Sequence, residues 1–201
     1  ETIASLKISD HSVWANGDGE AKKYDYFVSR CNAPILDVFS FELLVGNADD
    51  FKRMNAAVVS ESAAKVMGVN VGDVIYTETG SLKPETPLTV VGIFEDFAAN
   101  TILGGRNIFR NDNREQGMDN SNWNYSVFVK LHEGADPKEY VELWSKKFLE
   151  FNEKRFAEYV ATTGEELNMT EEERAKRFNM PVKLIPMDDF YFTTEFEMYP
   201  N

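Results

Sequence analysis

The chain has 201 residues, 43% hydrophobic and 13% aromatic, enough for one full-sized domain or two small lobes around a real core, and too apolar for a disordered segment. Its 34 acids against 21 bases leave a formal charge of −13, which repels nucleic-acid phosphates and anionic lipid headgroups and excludes a basic docking patch. A single cysteine, Cys31, excludes a disulfide scaffold and reads as a small buried hydrophobe, because neither His11 nor His132 is near it in sequence. No run approaches the ~18 apolar residues of a membrane span, and no signal peptide is visible. The chain opens with Glu1 instead of Met and so reads as an excised or processed piece.

In chain order, Ile3, Leu6 and Ile8 alternate loosely with polar residues and predict an edge or entry strand over Glu1 to Ile8. Asn16-Gly17-Asp18-Gly19 is a turn, and Tyr24 to Arg30 alternates rings with polar residues as a strand does. Pro34 opens a helical stretch from Ile35 to Val45, with Phe41 and Leu44 off its stripe, and Gly46-Asn47 stops it. Ala56 to Val59 reads as a short buried strand. Ser60 follows as N-cap and Glu61 stands in the first turn of a helix that runs to Met67 and ends at Gly68. A loop through Gly72 leads to a strand at Val74 to Thr77, a connector spans Gly80 to Pro87, and Leu88 to Phe94 returns as the second arm of a hairpin.

Asn100 to Asn124 has no period and reads as a long loop, with one short element at Ile102-Leu103. Tyr125 to Leu131 is a further strand. Asp136-Pro137 starts the longest helix, on which Tyr140, Trp144, Phe148, Phe151 and Tyr159 recur at helical spacing, ending near Gly164. Thr170 and Glu173 form a capping box before a charged helix to Phe178, which Pro181 ends. Val182 to Ile185 reads as a strand and Asp188 to Phe192 as a closing turn or strand.

The motifs that carry chemistry are missing. There is no phosphate loop, no dinucleotide-binding glycine pattern, no nucleophile elbow and no zinc-protease or paired-cysteine motif. The acid pairs Asp49-Asp50 and Asp188-Asp189 are what an acidic surface offers without catalysis. Asn16 to Glu20 and the stretch Asp112-Asn113 to Asp119-Asn120 have a calcium-like composition. An EF-hand frame fails at the first, where Gly19 at the sixth place puts Trp14 at the first ligand, and polar turns account for both. Catalytic residues, metal and cofactor are all read as none.

One set of blocks is more specific. Ile35 to Gly46 (ILDVFSFELLVG), with Phe39, Phe41 and Gly46, is followed by Ala57 to Lys65 (AVVSESAAK), with Ser60, Glu61 and Ala64. Gly72 comes next at the start of a strand, then Leu88 to Phe97 (LTVVGIFEDF) with Val91 and Gly92, then Asn100-Thr101. Ser126 to Pro137 and Leu184 to Tyr191 close the series. In this order and spacing the chain resembles the periplasmic core domain of MacB-type ABC-transporter permeases, of the wider superfamily that includes FtsX- and LolC-like proteins. It departs from that pattern at Phe97 to Ala99, at Asn107 to Asn122, and in the acidic stretch running to Glu173.

The resemblance implies an α+β fold, with a porter-like βαβ lobe and a second, mixed α/β (Sabre-like) lobe. The expected division is residues 1–55 with 123–201 for the first and 56–122 for the second. It also implies a fragment of a membrane protein at the periplasmic face of the bacterial inner membrane, its two chain ends close together and facing the bilayer. The implied partners are an ABC ATPase subunit and a second permease copy, joined through membrane helices, and a periplasmic adaptor or substrate protein. No catalytic residue transfers with it, and the matching glycines Gly46, Gly68, Gly72 and Gly92 read as turn and close-packing positions. An extracytoplasmic ligand-sensing domain of a receptor is the competing reading, and a pocket with convergent polar groups would mark it.

Overall fold

A computed structural model describes residues 2–10, 12–16, 21–78, 84–111, 126–164, 170, 172–173 and 182–189. The chain falls into two compact units, residues 1–131 and 132–201. The first carries β1 (Thr2–Asp10), β2 (Val13–Ala15), β3 (Lys22–Tyr24), β4 (Val28–Cys31), α1 (Ile35–Val38), β5 (Leu43–Gly46), β6 (Ala56–Ser60), α2 (Glu61–Met67), β7 (Val74–Glu78), β8 (Pro84–Phe94), β9 (Ile108–Asn111) and β10 (Ser126–Lys130). The strands form one ten-stranded sheet in the order β10-β1-β4-β9-β6-β8-β7-β2-β3, with β5 paired to β8 beside this path. Two pairs, β4–β9 and β6–β8, are parallel. The α+β class read from the sequence is what the structure shows.

β6 explains the layering. All five of its residues are buried, because the strand has β8 and β9 at its sides and apolar layers on both faces; a run without alternation is what two-sided burial requires. Ala57 and Val59 face one core with Val13, Ile75, Leu88, Val90 and Ile108, roofed by Ala63, Ala64 and Met67 of α2. Ala56 and Val58 face the opposite core, with Leu6, Cys31, Ile35, Phe51, Phe94 and Phe109. Cys31 is fully buried there, its thiol 3.5 Å from the Arg110 carbonyl.

Local signals placed several elements correctly. α2 begins on Ser60, whose Oγ accepts from the Ala63 N–H at 3.4 Å, and ends on Gly68 in the left-handed region at φ +68°. The β7–β8 hairpin is antiparallel as expected. Elements that depend on distant partners differ from the sequence reading. β1, expected as an edge or entry strand, opens the chain's strand order but is not at an edge, because β10 pairs with it on one side and β4 on the other. The strand expected over Tyr24 to Arg30 is two strands: β3 pairs with β2, whereas β4 sits between β1 and β9.

The helix expected from Ile35 to Val45 stops after one turn. Ser40 adopts φ +51°, and the following residues become β5, paired to β8 from Leu43 to Gly46. Phe41 and Leu44, the residues off the helical stripe, belong to the segment that tertiary pairing claims. β9, inside the stretch read as loop, pairs with β4 and β6. The turn at 17–20, the connector at 79–83, most of the excursion at 112–125, His11 and both chain ends lie outside the described residues.

The second unit carries α3 (Pro137–Thr163), capped by the Asp136 carboxylate, which accepts from the Lys138 N–H at 2.8 Å, and ended by Gly164 at φ +68°. None of its residues is fully buried. The expected ring stripe is a half-buried face that includes Tyr140, Trp144, Phe148 and Phe151; Tyr159 is exposed and Phe156 takes its place. The Thr170–Glu173 box is formed reciprocally: the Thr170 N–H donates to Glu173 at 2.9 Å, and the Glu173 N–H donates to the Thr170 hydroxyl at 3.2 Å. Residues 182–186 have no strand partner among the described residues and are irregular, with the Val182 N–H donating to Ser145 Oγ at 3.0 Å. Among the described residues no helix is long and apolar enough to cross a membrane.

Candidate functional site

Phe41, Gly46, Ser60, Val91 and Gly92 lie where β5, β6 and β8 meet, and the other motif positions lie apart from them. Gly46 turns at φ +106°, and a Cβ there would sit 2.2 Å from the Val91 carbonyl oxygen, so only glycine permits the approach of β5 to β8. Gly92, its register partner, lies under the Leu43 side chain, and Val91 is buried in the second core. Phe41 stands edge-on to Phe97 and Phe109, with centroids at 4.9 and 5.0 Å, and tilted against Phe94 at 5.4 Å. Phe39 packs edge-on against Phe128 of β10 at 4.9 Å. Ala64 is buried, Glu61 exposed, and Asn100 lies in an exposed turn. The Gly72 N–H donates to the Val90 carbonyl at 2.8 Å. These contacts hold a scaffold together; they do not converge on a reacting centre.

Asp96 was not singled out from the sequence, although it follows β8 by two residues. Its carboxylate accepts from the Ser62 N–H at 2.9 Å and from the Ser62 hydroxyl at 2.5 Å, capping the first turn of α2 from outside. Burial alone would raise its pKa, but the hydrogen bonds from Ser62 and Ser60 outweigh it and hold the carboxyl below its ordinary value. The Asn107 carbonyl accepts from the Ser60 N–H at 2.7 Å, tying the approach to β9 to the same helix start.

The acid pairs are surface features. Asp49 and Asp50 sit in a 3-10 turn, bonded to Lys52 at 2.7 Å and Arg53 at 2.6 Å, and the hydrogen bond from Lys52 lowers the Asp49 pKa. Asp188 and Asp189 lie in a second exposed 3-10 turn. No cluster of metal-ligating side chains occurs among the described residues. A buried and a half-buried cation are less expected. Arg110 donates to Thr77 Oγ1 at 3.2 Å, and Arg106, whose pKa burial lowers, donates to Ser29 Oγ at 3.2 Å. Both come from the stretch that reads as loop, so no local pattern announced them.

A shallow polar cleft of about 340 Å³ opens between the end of β2 and the loop from α2 to β7, lined by Asn16, Gly68, Asn70, Asp73, Val74 and Tyr76 among others. The loop is rigid. The Asn70 N–H donates to Asp73 Oδ2 at 2.7 Å, the Asp73 N–H to the Asn70 carbonyl at 3.1 Å, and the Val90 N–H to the Asp73 carbonyl at 2.9 Å. Asn16 reaches it because β2 lies against β7, with Trp14 paired to Tyr76. The Asn70–Asp73 spacing is a readable turn signal; the convergence of Asn16 on it is not readable locally.

Residues 5–146 match the model of the MacB-like periplasmic core domain family. No curated protein matches the chain. Among solved structures it is similar to a domain of a permease protein from Porphyromonas gingivalis, at 22% identity and a TM-score of 0.55, over 77% of this chain and 70% of that one. It is also similar to the periplasmic region of MacB from Actinobacillus actinomycetemcomitans, at 15% identity and a TM-score of 0.51, over 73% of this chain and 66% of that one. At these identities the structures speak to the fold, and the family follows from the sequence match: the chain belongs to the MacB-like periplasmic core domains, the extracytoplasmic part of MacB-like ABC-transporter permeases.

Proposed function

We propose that this domain couples ATP hydrolysis in the cytoplasm to movement of a substrate or partner on the outer face of the inner membrane, as efflux or as handling of a lipoprotein or peptide. The observation that carries this reading is the family match over residues 5–146, a family of transporter domains and not of catalysts. In this reading an ABC ATPase subunit and a second permease copy are joined through membrane helices, and a periplasmic adaptor or substrate protein engages the domain directly. The sheet with apolar cores on both faces supports the reading, because a closely packed body transmits displacement instead of absorbing it.

The lobe assignment, 1–55 with 123–201 and 56–122, is part of this proposal. It is supported by the order of the sheet, in which β10, β1 and β4 lie to one side of β9, β6, β8 and β7. The β2–β3 hairpin, at the far end beside β7, counts against its first boundary. The test is a distance measurement between spin labels at Val127, an exposed residue, in the two copies of the full permease reconstituted with its ATPase. Distances that change through the ATP cycle support the proposal; identical distances in nucleotide-free, ATP-bound and post-hydrolysis states refute it. The competing reading, a ligand-sensing domain, is favoured by the polar cleft. It requires the distances to respond to ligand without nucleotide.

A further inference from the structure

The cleft between β2 and the α2–β7 loop has the chemistry of a site for a hydroxylated ring. Three of its polar groups are left open: no hydrogen bond occupies the Asn16 amide, the Asn70 amide or the Tyr76 hydroxyl among the described residues, and Asp73 uses only Oδ2 within the loop. Each amide offers donors and an acceptor, the phenol offers both, and the second carboxylate oxygen accepts. Hydroxyl groups, which donate and accept at once, are satisfied by this set. The half-buried Tyr76 adds an aromatic ring to the lining, a surface for C–H groups.

The alternatives fit less well. No Lys or Arg lines the cleft, and Asp73 does, so an anion meets repulsion. The aliphatic side chains of the lining are Val69 and Val74 alone, and Val69 is buried, which gives an acyl chain little apolar surface to cover. At about 340 Å³ the cleft stands at the small end of ligand sites, room for a ring or two and not for a folded partner. Its walls are fixed in advance by the loop hydrogen bonds, so little ordering remains to oppose binding. Trp14 lies beside Tyr76 with Lys23 over its ring at 5.9 Å and stands outside the cleft.

We propose that this cleft binds a neutral saccharide unit, its ring against Tyr76 and its hydroxyls on Asn16, Asn70 and the second oxygen of Asp73. This goes beyond the permease reading and does not depend on it. The test is an amide NMR titration of the 201-residue chain with N-acetylglucosamine and, separately, methyl glucoside. Saturable shifts confined to Asn16 and residues 68–76 are expected with at least one of the two, in the millimolar range of small exposed sites. Tyr76→Ala and Asn16→Ala are each expected to weaken binding by about tenfold, the loss of one or two hydrogen bonds or a ring contact. Asn16 is exposed, so its variant stays folded if Tyr76→Ala does not. Absence of saturable shifts with both sugars, unchanged affinity in Asn16→Ala, or tighter binding of ethanolamine than of either sugar would each overturn the proposal. None of these outcomes bears on coupling to ATP.

Discussion

At Gly46 a single hydrogen in place of a side chain decides whether β5 can lie on β8. The left-handed φ and the 2.2 Å at which a Cβ would meet the Val91 oxygen combine backbone strain with a steric clash, so Gly46→Ala is expected to destabilise by about 2–4 kcal/mol in urea unfolding. Asp96 acts in the opposite sense, by adding a bond. Asp96→Asn is expected to cost about 0.5–1 kcal/mol, the low end of a helix cap because the residue is exposed. Its folded pKa is depressed, so its contribution is present above the unfolded value near ~3.9 and is lost as pH falls through the lower folded value. Unfolding followed from pH 6 to pH 2 (roughly that acid window) should therefore show a shallower acid loss in Asp96→Asn than in the parent. The sequence marks Gly46 because a glycine after an apolar run is a visible stop. It hides Asp96, because the Ser62 that its carboxylate binds, in the first turn of α2, lies more than thirty positions earlier.

Elements were legible where their causes are local. α2 was read to the residue because its cap, its first-turn acid and its terminal glycine lie within a nine-residue window. α3 was likewise read from Asp136-Pro137 to Gly164. β3 and β4, or α1 and β5, could not be separated, because their partners lie far away: β5 is claimed by β8 and β4 by β1 and β9. The same non-local logic ranks substitutions. Phe109 of β9 is fully buried and touches Phe41, Phe94 and Phe97, so Phe109→Ala is expected to cost about 3–5 kcal/mol. Val127→Thr on the exposed face of β10 should stay within about 0.5 kcal/mol, as exposed substitutions do. Equal losses at the two positions, measured by denaturant unfolding, would contradict the packing described for β9.

At the scale of the molecule, the first unit contains the whole sheet and both apolar cores, whereas α3 buries none of its residues fully. Residues 1–131 expressed alone are therefore expected to unfold cooperatively, with a midpoint close to that of the full chain; a non-cooperative transition would show that residues 132–201 complete the core. The family match ends at residue 146, inside α3, an element none of whose residues is fully buried. The position of the domain relative to the membrane can be tested directly by cysteine labelling. Cys31 is fully buried and contributes little background, and Val127 is exposed. In spheroplasts carrying the parent permease with Val127→Cys, a membrane-impermeant maleimide should label the protein without lysis. Labelling that appears only after the membrane is broken would place the domain in the cytoplasm and contradict its assignment to the extracytoplasmic side of an ABC-transporter permease.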